Sequence, residues 1–204
     1  KDFRGIDVAI LTRLRLAEIP QYHEIPFKKG FDTRGILEAT LILPNKELLT
    51  LFAMHLPAQQ APVIYREKSL RFITKLAQRL PKDRYAIAVG DTNISAVEER
   101  ETEILKKHAE PFWKISHKMG CKSCQGTFYY EKDESWSFFD MFFFSDRLTD
   151  RPGSWRVNSA SIRTANALPE QNSAKKTPRA YNPPDFNGVS DHFPLYVELE
   201  QTGR

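Results

Sequence analysis

The sequence predicts one mixed α/β domain, and three observations predict it. Short apolar runs rich in β-branched residues, such as Ala86-Ile87-Ala88-Val89 and Leu195-Tyr196-Val197-Glu198-Leu199, read as strands. Between Tyr65 and Leu80, the residues Leu70, Ile73, Leu76, Ala77 and Leu80 fall on one stripe with Arg and Lys opposite, the pattern of an amphipathic helix. Two further apolar runs flank Pro44-Asn45-Lys46-Glu47, a hairpin-like turn. A length of 204 residues suits one domain with a sizeable core. An apolar fraction of 41% with 12% aromatic residues describes a folded chain and excludes a disordered one.

Taken in order, Ile6 to Leu11 is a short β-branched run and is expected as a buried strand. Residues 17–33 are irregular, broken by Pro20, Pro26 and Gly30. Leu37 to Leu43 and Leu48 to Met54 are the hairpin strands. The helix from Tyr65 stops at Pro81. Tyr85 to Val89 is a strand. Ser95 or Thr92 caps a short acidic helix running through Lys107, whose Glu98, Glu99 and Glu101 suit its N-terminal end. Phe138 to Phe144 is a strand with Asp140 inside it, and it is far too short to span a bilayer. Residues 163–188 are rich in Asn, Pro, Ser and Lys without periodicity, and are expected as a long loop of the kind that often carries function. No internal repeat is present, and no apolar run reaches transmembrane length.

The net charge is +4, from 30 Lys plus Arg against 26 Asp plus Glu. That mild excess is compatible with a phosphate-rich substrate and equally with simple solubility. Basic residues gather late, at Arg147, Arg151, Arg156, Arg163, Lys175, Lys176 and Arg179, with Trp155 and Tyr181 among them. Such interleaving can track a nucleic-acid backbone, and it also describes a solvated loop. Cys121 and Cys124 form a lone C-x₂-C with no second pair to complete a four-Cys zinc site. A local disulfide in an exported protein, two free thiols, or a Cys₂His₂ clip with His108 and His117 are the readings left open.

Two polar clusters sit at the edges of strand-like runs. Gly90-Asp91-Thr92-Asn93 follows one, and Ser190-Asp191-His192-Phe193-Pro194 precedes another. Carboxylates, an amide and an imidazole at strand ends are the groups a hard-metal phosphate-cleaving site uses. Gly-Asp-x-Asn is also good Asx-turn chemistry. A carboxylate such as Asp140 within a phenylalanine-rich strand needs a partner, because an unpaired buried charge is costly. A structural salt bridge would satisfy it as well as a catalytic pairing.

These residues resemble the endonuclease/exonuclease/phosphatase superfamily, the deoxyribonuclease-I-like proteins. Gly90-Asp91-Thr92-Asn93 is similar to its GDxN motif, and Ser190 to Pro194 to its SDHxP motif. Arg4-Gly5-Ile6-Asp7-Val8-Ala9, Phe52-Ala53-Met54-His55-Leu56, and Trp136 to Ser145 resemble three further segments in family order. The resemblance implies a four-layer α-β-β-α sandwich over residues 1–204, with catalytic loops at one edge of two facing sheets. It implies that His55, Asp91, Asn93, Asp140 and His192 are catalytic, with Asp140 fixing the tautomer of His192. Asp191, with Asp91, would hold Mg²⁺ or Mn²⁺. His23, His108 and His117 match no motif and are read as structural, and Arg4 and Arg34 as packing or salt-bridge residues more than phosphate contacts. The family's metal-binding Glu lies upstream of the segment matched at Arg4, where this sequence begins, so an N-terminally incomplete and poorly active domain is expected. The implied activity is metal-dependent phosphodiester hydrolysis by a monomer, with nucleic acid as the favoured substrate. Lipid or inositol phosphates, or a non-catalytic binding homologue, are the alternatives. A lipid enzyme of the family would show an exposed apolar hairpin, which the sequence does not announce.

Overall fold

The computed structural model describes residues 5–28, 31, 33–150 and 153–202; Arg4, Gly30 and Arg151 lie outside the described residues. Six strands form the main sheet, in the spatial order β1 (Gln21–His23), β2 (Ile36–Ile42), β3 (Leu48–His55), β4 (Tyr85–Asp91), β8 (Asp140–Ser145) and β5 (Trp113–Ile115). The segments β9 (Trp155–Thr164) and β10 (Leu195–Gln201) pair as an antiparallel ribbon, and β6 (Phe128–Tyr130) pairs with β7 (Ser135–Ser137) as a small hairpin. The helices are α1 (Val63–Gln78), α2 (Ala96–Thr102), α3 (Ile104–His108) and α4 (Ser116–Met119). No helix among the described residues is long and apolar enough to cross a membrane.

The alternation of side chains along the central strands builds the layers. On β4, Ala86 and Ala88 face one core while Tyr85 and Ile87 face the other; on β8, Met141 and Phe143 share the first and Phe144 the second. The first core is closed by α1 through Leu70, Ile73, Leu76 and Ala77, and by Ile104 and Leu105 of α3. The second is closed by the ribbon, with Ile162 buried and Val157, Val197 and Leu199 packed against it. Two β layers therefore face one another, with helices outside the larger. Both faces of β4 and β8 are covered, which explains why these strands read as continuous apolar runs. The link β3–α1–β4 is a parallel crossover, and it carries the register Leu49↔Tyr85 through to His55↔Asp91.

Three expectations are corrected. Ile6 to Leu11 forms no strand and is largely exposed, with Leu11 at 95%. β-propensity reflects packing on a half-buried sheet surface, and beside β2 that place is taken by β1 and by the bridge Leu16↔Leu41. The acidic helix is capped by Ser95, whose hydroxyl accepts from Glu98 N at 3.1 Å, but it breaks at Glu103, which is left-handed at φ 52°. The break turns Ile104 and Leu105 into the core, whereas α2 buries no residue. The expected loop at 163–188 begins inside β9, and it contains a short 3₁₀ turn at Pro169–Gln171. The pairing of β9 slips in register opposite Tyr196 and Glu198, which breaks the period-2 pattern that would have announced it.

Cys121 and Cys124 form a disulfide with their Cα atoms 5.1 Å apart, so the metal-clip and free-thiol readings are excluded. His108 instead lies 3.2 Å from Glu67. His117 stacks on Phe138 at 5.0 Å, and its Nδ1 is buried without a hydrogen-bond partner among the described residues. Burial, and then the charge of Lys118, push its pKa down from 6.5 to about 4. The unfolded chain therefore takes the proton first as the pH falls. Stability is full above pH 6.5 and is lost as the pH drops toward 4. A loss of up to about 3 kcal/mol over that window is expected in urea titrations. His117→Phe should flatten the slope, and an unchanged slope in that variant would place its origin elsewhere.

Candidate active site

The sheet register brings the polar strand ends together. His55 lies opposite Asp91 in the β3–β4 ladder, and Asp91 lies opposite Asp140 in the β4–β8 ladder. Three neighbouring strands thus deliver three ionisable side chains to one edge. His192 enters from the segment preceding β10. A bridge between Phe128 and His192 anchors it, and Phe193 N donates to Thr127 O at 2.8 Å. The Thr127 hydroxyl in turn accepts from Phe139 N at 3.1 Å and Asp140 N at 3.0 Å. One buried threonine therefore ties the β8 entry to the His192 segment.

The Gly90-Asp91-Thr92-Asn93 turn is shaped by close approach. Gly90 has φ 145°, and a Cβ there would lie 1.8 Å from Met54 O, so no other residue fits. Thr92 is fully buried and donates through Oγ1 to Phe139 O at 2.9 Å. Asn93 takes the left-handed conformation at φ 52°, which Asn tolerates better than most residues. Its backbone N–H donates to Asp91 Oδ1 at 2.7 Å, and its side-chain amide donates to Leu56 O at 3.1 Å. The Asx turn is thus present, and it aims both side chains into the same cleft.

That cleft has a volume of about 570 Å³, and His55, Asp91, Asn93, Asp140, Asp191 and His192 all line it. Its remaining walls include four residues the sequence reading did not place there as binding groups: Arg34, Gln59, Phe128 and Tyr130. His192 Nδ1 lies 2.7 Å from Asp140 Oδ2, and His55 Nε2 lies 3.3 Å from Asp91 Oδ2. Tyr130 hydrogen-bonds to Gln59, closing one side of the cleft. The loop carrying Gln59 is held by Arg66, a buried guanidinium that donates to the carbonyls of Pro57, Ala58 and Ala61 and pairs with Glu98 at 2.5 Å. No local sequence signal marked Arg66, because its partner lies 32 residues away.

Burial, then the charge of Asp140, raise the Asp91 carboxyl to about 6, against opposing contributions from Asn93 N–H, His192 and Arg34. For His192, burial favours the neutral ring, but the hydrogen bond and charge of Asp140, with Asp91 and Asp191, outweigh it and raise its pKa. With Asp140 accepting from Nδ1–H, Nε2 is the ring nitrogen left to exchange protons. Among the described residues, no set of three or more His, Cys, Asp or Glu side chains is placed to hold a metal ion. Asp91 and Asp191 nonetheless bring carboxylate oxygens to one cleft. That donor chemistry fits a hard cation such as Mg²⁺, which uses one or two carboxylates and completes its shell with water and substrate phosphate.

The late basic residues do not act as one patch. Arg147 sits over the Tyr85 ring at 4.9 Å, Arg163 over Tyr196 at 4.0 Å, and Trp155 packs against the core. Lys175 lies 3.6 Å from Glu131. Among the described residues of that group, only Arg179 lines the cavity beside the cleft. Tyr181 and Phe186, at 51% and 81% exposure, project from the loop bridged by Asn182 and Asn187, an exposed apolar turn the sequence reading had not seen.

Comparison with known proteins adds the family. No curated protein sequence matches the chain. Among solved structures, D. rerio TDP2 carrying 14 humanizing mutations matches with a TM-score of 0.66 at 17% identity, over 93% of this chain and 68% of that one. An endonuclease/exonuclease/phosphatase from Beutenbergia cavernae gives 0.64 at 15% identity, over 94% and 47%. The mannosyl-6-phosphatase of Bacteroides thetaiotaomicron gives 0.58 at 20% identity, over 92% and 67%. At these identities the likeness is one of fold, mixed α/β around a central sheet. The model of the endonuclease/exonuclease/phosphatase family matches residues 1–201, which also span all the site residues above, and the chain belongs to that family.

Proposed function

We propose that this protein is a divalent-metal-dependent phosphodiesterase acting on nucleic acid. The observation that carries the reading is the convergence of His55, Asp91, Asn93, Asp140, Asp191 and His192 on one cleft, with His192 already bonded to Asp140. Members of the family are generally divalent-metal dependent. Asp191 and Asp91 are the residues that would hold Mg²⁺ or Mn²⁺, and the ion when bound would polarise the phosphoryl oxygen.

The chain's own groups then divide the remaining work. Asp140 holds His192 in one tautomer and stabilises its charged form. His192 is suited to take the proton of the attacking water, and Asp91 is the other candidate where it does not hold the ion, since a bound cation keeps a carboxylate ionised. His55 and the Asn93 amide donate to phosphate oxygens as charge builds on the pentacovalent phosphorus. Arg34, buried in the same wall, adds positive charge near Asp91.

Hydrolase neighbours of differing substrate leave the diester choice to chemistry. D. rerio TDP2 is solved with a single-stranded DNA product, and the Bacteroides protein is a phosphatase. Nucleic acid is favoured here because aromatic rings and an arginine flank the cleft. The Cys121–Cys124 disulfide supports export to an oxidising compartment. The test is turnover of a small phosphodiester and of an oligonucleotide with Mg²⁺. Oligonucleotide binding without turnover of either would assign the cleft to a binding homologue.

A further inference from the structure

Beside the cleft runs a second cavity of about 490 Å³, within the range of about 300–1,000 Å³ typical of ligand sites. Phe128, Tyr129 and Tyr130 of the β6–β7 hairpin form one wall, and Thr177 and Arg179 form the other. Phe128, Tyr130 and Asp191 line both cavities, so the two adjoin. Lys175 reaches from the Arg179 side to Glu131 at 3.6 Å and Glu134 at 3.9 Å, across the mouth of the cavity.

The position of Arg179 is determined by backbone bonds. Its carbonyl accepts from Val189 N at 2.9 Å and Ser190 N at 3.2 Å, at the neck of the loop that leads into Asp191 and His192. Its exposed guanidinium makes no ion pair or hydrogen bond among the described residues. The three hairpin aromatics are half-buried; Phe128 and Tyr130 contact each other at 4.8 Å, while Tyr129 packs on Trp136 at 5.1 Å on the other face of the strand. Partly open rings and an unpaired cation, one step from a phosphate-cleaving centre, are the two elements that hold unpaired nucleotides: a base stacks and a phosphate is neutralised.

We infer that this groove is a single-strand subsite, taking the nucleotide adjacent to the scissile phosphate, with its base against Tyr129 and its far phosphate on Arg179. The inference rests on the phosphodiesterase reading of the neighbouring cleft. A base inside a duplex has its faces covered by its neighbours, so the groove selects single strands. The charged hairpin tip, Glu131-Lys132-Asp133-Glu134, argues against this hairpin entering a lipid surface.

The test compares a single-stranded oligothymidylate with bis(p-nitrophenyl) phosphate, which lacks a flanking nucleotide. Arg179→Ala and Tyr129→Ala should each lower the ratio of kcat/KM on the oligonucleotide to that on the small diester by about tenfold, mainly through KM. In Arg179→Ala the slope of log affinity against log salt should become shallower by about 0.7. An unchanged ratio in both variants overturns the subsite, as does equal loss on both substrates or a duplex cleaved as well as the single strand. Should neither substrate turn over, the phosphodiesterase reading fails and fluorescence anisotropy of the labelled oligonucleotide judges the groove separately. Binding weakened about tenfold in Arg179→Ala then supports it, and equal affinity overturns it. Loss of binding to phosphatidylserine vesicles with oligonucleotide affinity intact would also overturn it, in favour of a lipid surface.

Discussion

Replacing His192 with alanine is expected to lower turnover of a phosphodiester by about two to four orders of magnitude, the scale of a positioned acid–base group. The ring is bonded to Asp140 at 2.7 Å, lines the cleft, and shares its wall with Asp91 and Asp191. Its loss removes the proton-exchanging Nε2 and also leaves Asp140 and Asp91 as neighbouring carboxylates with one positive partner fewer. Asp140→Asn should fall in the same direction with a smaller effect, because an amide can hold the ring but cannot stabilise imidazolium as a carboxylate does. Circular dichroism on each variant separates loss of chemistry from loss of fold. Wild-type turnover in a folded His192→Ala protein would sink the proposed mechanism.

Chelation is the second large effect. Removing divalent ions with EDTA is expected to abolish hydrolysis, and Mg²⁺ or Mn²⁺ to restore it. The basis is the oxygen donor pair of Asp91 and Asp191 in a cleft that also holds Asp140, His55 and His192. Asp191 is exposed on the rim, so Asp191→Asn should weaken metal dependence without unfolding the chain. Thermal melts give a readout independent of activity: Mg²⁺ should raise the Tm of the wild type by mass action, and less so in Asp191→Asn. Full activity after exhaustive chelation would remove the metal from the account.

Much of the site was legible because its residues obey local rules. Gly90-Asp91-Thr92-Asn93 stood out as turn chemistry at the end of an apolar run, and that turn carries both Asp91 and Asn93. Asp140 stood out as a charge in a phenylalanine-rich strand, and a buried carboxylate needs a partner wherever it occurs. The α1 stripe and the β2–β3 hairpin were likewise visible as periodicities of a single segment. The strand at 155–164 was different: the sequence reading gave most of it no element and began the expected loop at 163. Its strand character comes from pairing with β10 across a slipped register, which no local period records.

By itself, then, the sequence determined the mixed α/β class, the central strands and the residues able to do phosphate chemistry, because those depend on periodicity, turn sterics and side-chain type. Only the tertiary structure decided which of them meet. The ladders that set His55 against Asp91 and Asp91 against Asp140 join segments tens of residues apart. The same holds for Arg66 paired with Glu98, for Arg34 in the cleft wall, and for the aromatic hairpin facing Arg179. Each is a long-range contact chosen by the packing of two sheets and a helix. The dispersal of the late arginines shows the converse: Arg147 lies on a turn after β8, Arg156 and Arg163 on β9 and Arg179 in the following loop, so charge density along a chain is not charge density on a surface.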